Sequence, residues 1–566
     1  MNETDQQKKN VGRLPRGIYR RDLVTTSLVI VALISAWGLF CVRILPEMAE
    51  IRPFPFEYNI YFRLFYLFES PFFIFMALFA ASALLVVRSS RPLPEWASAA
   101  LDIRATAMLA VGVLIACRLG SRVIMHDYDF SMDEFASAFQ ARILAAGHVA
   151  GVLAKPWWRF GKGLTPAFVT YDATSHSWMS SYLPVHAALR AVFLRLGIEA
   201  WLNPFLASCS ILLIHDISIK VWPGSKSAPL YSVVLLAASP QFLFTSMTGY
   251  AMPTELVANL AWLDLYLRGT KTSWTILPWV GALAIGIHNP MVHILFAAPF
   301  LVRVLRSDKA WWALYFSLVY VPASILWRQW LSFVHPVYSG SQWVSIFRRP
   351  RSFQMLLQSM NLTLVLSWLT PLAGILVVLA FLRWRSQCPA VKDLIGGALL
   401  VLAFYCFYPS DQGHGWGYRY AYGVLGNFAL MGSAASETMG RGLRSRMTHL
   451  LTASAAASVL IQLPVRGAEI EAFMRPFSRA AAYVRRLPEP VVAVDPAIGW
   501  YAQDLVRNDP FLRSRPMIIN TRNMSGAALA DLGRAFGGRI HVLKAAELAA
   551  LGYPGEPAAP TDLARP

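Results

Sequence analysis

The stretch ATAMLAVGVLIACRLGSRVIMHDYDFSMDEF, residues 105–135, runs from a long apolar segment straight into four carboxylates: Asp127, Asp129, Asp133 and Glu134. Crossing a hydrocarbon core takes about 20 apolar residues, and 105–125 is long enough. Read this way, the junction is a membrane span that delivers an acidic loop to one surface. The whole composition agrees. Of 566 residues, 56% are hydrophobic, 13% aromatic and only 15% charged, the signature of a polytopic membrane protein. The five cysteines lie in or beside apolar runs without metal-ligand spacing, which indicates neither a disulfide framework nor a zinc site.

Leu23–Leu45 is the first apolar run, preceded by Lys8, Lys9, Arg13, Arg16, Arg20 and Arg21. These charges predict a cytoplasmic N-terminal arm and a retained span rather than a cleaved signal. Further spans are expected near 60–87, 105–125, 201–219, 228–247, 250–267, 274–289, 291–305, 311–328, 362–382, 393–408, 420–438 and 448–464, thirteen in all with the first. On alternation, the cytoplasmic turns hold most of the basic residues, for example Arg88, Arg91 and Arg104, or Arg441, Arg444 and Arg446. The net charge of +19 is then a matter of topology, and no nucleic-acid partner is implied. One segment departs from the charge rule: Arg348, Arg349 and Arg351 fall in a predicted outer loop.

The resulting plan has a cytoplasmic basic arm (1–22), N-terminal spans (23–125), an extracytoplasmic loop with the acidic motif and amphipathic helices (126–200), a transmembrane core (201–464), a C-terminal unit (465–552) and a Pro- and Ala-rich tail expected to be disordered (553–566). The C-terminal unit carries strand-like VVAVD (491–495), MIIN (517–520) and RIHVL (539–543) between helix-like stretches, and is predicted to be a small extracytoplasmic α/β domain. The predicted fold class is therefore an all-α polytopic membrane protein with a long first outer loop and this appended domain.

Three readings of the acidic stretch are open. Ser131-Met-Asp-Glu134 fits a capping box, with Ser131 as N-cap and Glu134 reaching back. Phe135, Phe139 and Ile143 would then form one face of a helix lying along the membrane surface. This accounts for Glu134 and tolerates Asp133, but leaves Asp127 and Asp129 without a purpose. Alternatively one carboxylate is a chemical group. Adjacent helical residues point roughly 100° apart, so Asp133 and Glu134 cannot both serve one point. Third, Asp127, Asp129 and Asp133 are hard oxygen donors for a divalent ion, although the glycine and terminal glutamate of a calcium loop are missing.

The order of motifs resembles the GT-C glycosyltransferases, in particular the mannosyltransferase-like and aminoarabinose-transferase-like enzymes that use polyprenyl-phosphate sugars. The residues that carry it are Asp133-Glu134-Phe135 through Phe139-Gln140-Ala141-Arg142, Ser181-Tyr182-Leu183-Pro184-Val185-His186, Trp201-Leu202-Asn203-Pro204, Ala238-Ser239-Pro240-Gln241-Phe242 with Met252-Pro253, and Gly415-Trp-Gly-Tyr-Arg419-Tyr. The likeness spans roughly 125–440. Ser180-Ser181 stand where many relatives have Lys, and Ile287-His288-Asn289-Pro290 where Thr-Arg-Pro is usual.

The resemblance implies a membrane glycosyltransferase that moves a sugar from a polyprenyl-phosphate donor to an acceptor hydroxyl on a glycan, lipid or protein. A carboxylate takes the hydroxyl proton as it attacks, and a single displacement inverts the anomeric centre, whereas retaining glycosidases use two carboxyl groups about 5 Å apart. Asp133 is the candidate base and Glu134 its support. Arg419, with Tyr418, His414, His186 and His288, is a candidate for the donor phosphate. No organic cofactor is implied; a divalent metal, if used, would fall to Asp127, Asp129 and Asp133. The expected location is a bacterial inner membrane, with membrane lipid as surroundings. The main rival is a transporter or flippase of lipid-linked sugars, which would draw on ionisable residues within the spans: Glu69 with Arg63, Asp216, Glu255 and Asp264. A scaffold or sensor is the third reading.

Overall fold

The computed structural model describes residues 18–51, 67–89, 101–334, 352–408, 412 and 415–555. The start of the basic arm, Arg63, the triplet Arg348, Arg349 and Arg351, His414 and the tail from 556 lie outside these residues. Each stretch read as a span contains a helix. In chain order they are α1 (Ile18–Ile51), α2 (Ser70–Arg88) and α3 (Ile103–Val123), then, after the first long loop, α6 (Leu202–Val221), α7 (Ser227–Ala237), α8 (Pro240–Ser246), α9 (Met252–Arg268), α10 (Lys271–Ala284), α11 (Pro290–Leu305), α12 (Trp311–Val334), α13 (Ser352–Ser367), α14 (Pro371–Leu382), α15 (Pro389–Phe407), α16 (Leu425–Glu437), α17 (Arg441–Ala457) and α18 (Leu463–Arg486). The first loop carries α4 (Met132–Ala145) and α5 (Val185–Arg195).

Six helices are long and apolar enough to cross a membrane, or eight if each of two bent pairs is one span, and they mark an integral membrane protein. That test, made on the described residues, returns fewer than the thirteen spans expected, and two of the differences have a visible cause. The stretches 228–247 and 362–382 read as straight spans, yet α7 and α8 meet at 55° and α13 and α14 at 114°. Each break precedes a proline, Pro240 or Pro371, whose ring pushes the residue before it out of the helical region. Ser239 and Thr370 accordingly adopt extended backbone.

The loop and the C-terminal segment form a polar cap on the helices. In the loop, β1 (Gly151–Val152), β2 (Val169–Asp172) and β3 (Ser177–Ser180) make an antiparallel sheet in the order β1-β3-β2. Beyond α18, β4 (Val491–Val494), β5 (Met517–Asn520) and β6 (Ile540–Val542) pair in parallel, in the order β5-β4-β6. Parallel pairing requires crossovers, and the one between β5 and β6 contains α19 (Gly526–Ala535).

Segments that the sequence separates share one core here. Phe135, Phe139, Ile143, Leu153 and Trp178 from the loop pack in a single cluster with Val491, Met517, Ile519 and Leu532. Polar ties close the seam: Trp178 Nε1 donates to the Pro510 carbonyl (2.8 Å), and Asn508 Nδ2 donates to the Leu164 and Ile518 carbonyls (both 2.7 Å). This corrects the expectation of a surface-lying α4. Its apolar face is the predicted one, but Ala136, Ala138 and Ala141 are buried as well, because cap elements cover the helix on other sides and small side chains permit the approach. A π-helical turn, Ser458–Gln462, joins α17 to α18 in one continuous helix of 46 residues. At 1.5 Å per residue this is roughly 70 Å, more than twice a hydrocarbon core of about 30 Å, so the last helix also carries the cap.

Candidate active site

Asp133 sits in the first turn of α4. Ser131 caps that turn, its Oγ accepting from the Asp133 N–H (3.2 Å), while Glu134 Oε2 accepts from the Ser131 N–H (2.9 Å). Glu134 Oε1 also accepts from the Gly249 N–H at 2.7 Å, tying the cap to the loop between α8 and α9. Burial, followed by the charge of Asp129, raises the Glu134 carboxyl above its ordinary value. With both oxygens committed to backbone donors, Glu134 fixes the start of α4 and aims Asp133 elsewhere.

Asp133 faces Arg419. Arg419 Nη1 donates to Asp133 Oδ2 at 2.6 Å, joining residues 286 positions apart, and both side chains are nearly buried. The Tyr182 hydroxyl donates to the other oxygen, Asp133 Oδ1. Burial pushes the Asp133 carboxyl up, but Arg419 and the Tyr182 hydrogen bond outweigh it, leaving it below the ordinary range. Arg419 is held from behind by Gln412: its N–H donates to Gln412 Oε1 (2.9 Å) and its Nε to the Gln412 carbonyl (2.5 Å). Tyr250 and Tyr420 present ring faces to the guanidinium, with centroids 4.8 and 5.9 Å away. His288 stacks on Tyr182 (centroids 5.2 Å, 28° between planes), and its Nδ1 lies 3.9 Å from Glu255. The cavity beside Asp133, lined also by Tyr182, Tyr250 and His288, measures about 20 Å³, the volume of about one water. The site is closed in this form.

The structure thus brings Asp133, Arg419 and His288 together; His186 lines the same small cavity, and His414 lies outside the described residues. His186 has both ring nitrogens engaged, Nδ1 with Thr254 Oγ1 (2.8 Å) and Nε2 with the Gly249 carbonyl (3.1 Å). Burial, with Arg190 adding to it, lowers its pKa to about 3, so it is a neutral brace with no nitrogen turned to a phosphate. Tyr418 is buried and its hydroxyl donates to Gln358 Oε1 (3.0 Å). Asp127, Asp129 and Asp133 do not converge as metal ligands: Asp127 pairs with Arg118 (2.8 Å), Asp129 with Arg190 (3.3 Å) and Asp133 with Arg419. Among the described residues no cluster of three or more potential ligands is gathered. Of the span residues, Glu69 pairs with Arg466 (2.8 Å), while Asp216 and Asp264 join Lys220 and Arg268 in one ion network.

Sequence reasoning did not single out Tyr182, Gln412 or Tyr250. Tyr182 was visible inside the Ser181–His186 motif and Gln412 inside the loop before Arg419. Neither has a signal of its own until the fold brings residue 412 behind Arg419 and residue 182 onto Asp133.

No protein-family model matches the chain, and no curated protein matches it. Solved structures do. ArnT from Cupriavidus metallidurans bound to undecaprenyl phosphate superposes with a TM-score of 0.51 at 15% identity, covering 78% of this chain and 90% of that one. The apo state of the same protein gives 0.50 at 14% identity, with the same coverage. The match covers most of both molecules at an identity that carries the fold alone, and the chain therefore has a membrane fold similar to that of ArnT.

Proposed function

We propose that this protein is a membrane glycosyltransferase that moves a sugar from a polyprenyl-phosphate donor to an acceptor hydroxyl on the extracytoplasmic face, with inversion. The observation that carries the reading is the buried Asp133–Arg419 pair. It joins a candidate base to a candidate phosphate ligand beside a closed cavity, within a fold whose solved neighbour holds undecaprenyl phosphate. The bacterial inner-membrane location, the cytoplasmic N-terminus and the outer placement of the cap belong to the same proposal and rest on the distribution of basic residues.

The chemistry runs as follows. The donor phosphate takes up the Arg419 guanidinium, which Gln412 and two tyrosine rings hold in place, and His288 lies close enough to contribute a second contact. Sharing Arg419 with a second anion weakens its hold on Asp133. Burial then dominates, and the carboxylate becomes a stronger base. The acceptor oxygen attacks the anomeric carbon as its proton passes to Asp133. The bond from that carbon to the phosphate oxygen breaks, and the phosphate leaves with the electron pair against Arg419. Tyr182 keeps the carboxylate aimed, and Glu134 keeps the helix that bears it.

The test is consumption of a panel of polyprenyl-phosphate sugars by the purified protein in nanodiscs. Turnover that falls about 10²–10⁴-fold in Asp133→Asn, with an unchanged unfolding transition, supports the reading; equal turnover by the variant removes Asp133 from the chemistry. A second reading, transport of lipid-linked sugar, draws on the bent helix pairs α7–α8 and α13–α14, since transporters build their sites from broken helices. Intact donor that crosses liposomes containing the protein would favour it.

A further inference from the structure

A second, larger cavity opens in the cap. It measures about 400 Å³, within the range of small-molecule sites of about 300–1,000 Å³, and lies between the first loop and the C-terminal segment. Lys162, Phe168 and Tyr171 line it from the loop, and Gln503, Asn520 and Asn523 from the C-terminal side. Asn520 is the last residue of β5, and ligands of open parallel sheets bind at the carboxyl ends of the strands.

Its chemistry is specific. Asn520 is 6% exposed, and its Oδ1 accepts from the Arg522 N–H (3.0 Å), which fixes the amide. Among the described residues, no hydrogen-bond partner is present for the Asn520 Nδ2 or for the side chains of Lys162, Gln503 and Asn523. Three planar amides, Asn520 offering its donors and Gln503 and Asn523 both donors and an acceptor, therefore meet in one cleft with one ammonium and no acid. Phe168 supplies an apolar face: it is 50% exposed and has φ +58°. That conformation is strained for a bulky residue, and it holds the ring out at the cavity. The ring centroid lies 5.7 Å from that of Tyr182, whose hydroxyl holds Asp133. The cleft and the candidate base are thus neighbours separated by two aromatic rings.

We propose that this cleft binds the saccharide portion of the acceptor, a neutral or acidic oligosaccharide, and presents its hydroxyl past Phe168 and Tyr182 to Asp133. Amides pair with vicinal hydroxyls, the phenyl ring covers the apolar face of a pyranose, and Lys162 takes a carboxylate or phosphate substituent when one is present. This rests on the glycosyltransferase reading for its purpose, though not for the binding itself.

The full-length protein in nanodiscs is applied to a printed array of neutral, amino and uronic-acid oligosaccharides, together with Asp133→Asn to read binding without turnover. The Gln503→Ala/Asn523→Ala double variant and Phe168→Ala are compared on the saccharides retained. Each is expected to weaken binding by about tenfold or more, through the loss of a hydrogen bond or two in the double variant and of ring stacking in Phe168→Ala. With a retained saccharide as acceptor, they are expected to raise the acceptor KM by a similar factor while the donor KM holds. Transfer with an unchanged acceptor KM in the variants overturns the cleft and leaves the enzyme. Saccharide binding that the variants lose, with no donor consumed, upholds the cleft and overturns the enzyme. Absence of any saccharide bound by the intact protein overturns the cleft.

Discussion

Among the described residues, the buried pairs Glu69–Arg466 and Asp133–Arg419 are built differently. Glu69, beside the first residue of α2, meets Arg466 of α18 through two parallel bonds of 2.8 and 2.9 Å. Its oxygens also accept from Ser367 Oγ (3.0 Å) and Trp368 Nε1 (2.9 Å), and the guanidinium lies between the rings of Phe72 and Trp368 at 3.6 and 3.8 Å. Asp133 and Arg419 share one arginine nitrogen and one carboxylate oxygen, next to a small cavity. The first pair is held by two parallel bonds and by further bonds to each partner, with only Arg466 Nε left over among the described residues, and it locks helices together. The second is buried enough to be strong and open enough to exchange partners. Burial alone does not mark a functional pair; the number of contacts each partner must give up does.

The contrast can be broken in order of size. Glu69→Ala strands a buried Arg466 and is expected to cost about 3–5 kcal/mol of stability, read as a large fall in the unfolding temperature in detergent; a small fall would erase the distinction. Arg419→Lys keeps the charge but loses the fork and the Nε bond to the Gln412 carbonyl. Donor binding is expected to weaken by about 10–100-fold, measured by titration with polyprenyl phosphate, with little change in unfolding. Glu134→Gln keeps an acceptor for only one of the two backbone N–H groups and sets its amide nitrogen against the other; it is expected to cost about 1–2 kcal/mol, with a smaller loss of transfer than Asp133→Asn. A separate effect, confined to a window of pH, concerns Asp504 in the cap. Burial raises its carboxyl to about 7 against the pull of Arg507. The folded state therefore keeps a proton that the unfolded chain loses above roughly pH 4, and stability declines as pH rises from there through 7. Asp504→Asn is expected to flatten that decline in unfolding curves taken across the window.

Much of the fold was legible because membrane crossing imposes length and apolarity on a span, and among the described residues six helices, or eight counting each bent pair as one span, obey it. The bends were legible only in part: Pro240 and Pro371 were in view, but whether a proline bends a span or merely starts a helix depends on packing. Asp133 and Arg419 could each be singled out, one as an acid after a span and the other as a lone cation in an aromatic loop. Their meeting could not, since nothing local couples residues 286 apart. The same holds for Glu69, for which Arg63 was the sequence neighbour and Arg466, 397 residues away, is the partner. His186 reads as a site residue in its motif, yet its two nitrogens are spent on Thr254 and Gly249, a fact of tertiary contact alone. The cap core escaped the sequence reading for the same reason, because Phe139 and Ile519 look like members of separate units until they touch.

The most direct measurement is donor binding and transfer side by side in the intact protein and in Asp133→Asn, in nanodiscs at neutral pH. If Asp133 competes with the donor phosphate for Arg419 and then takes the acceptor proton, the variant binds polyprenyl-phosphate sugar at least as tightly as the intact protein and transfers almost none of it. A variant that binds donor poorly and unfolds early would make the pair a structural lock like Glu69–Arg466, and one that transfers normally would place the chemistry elsewhere.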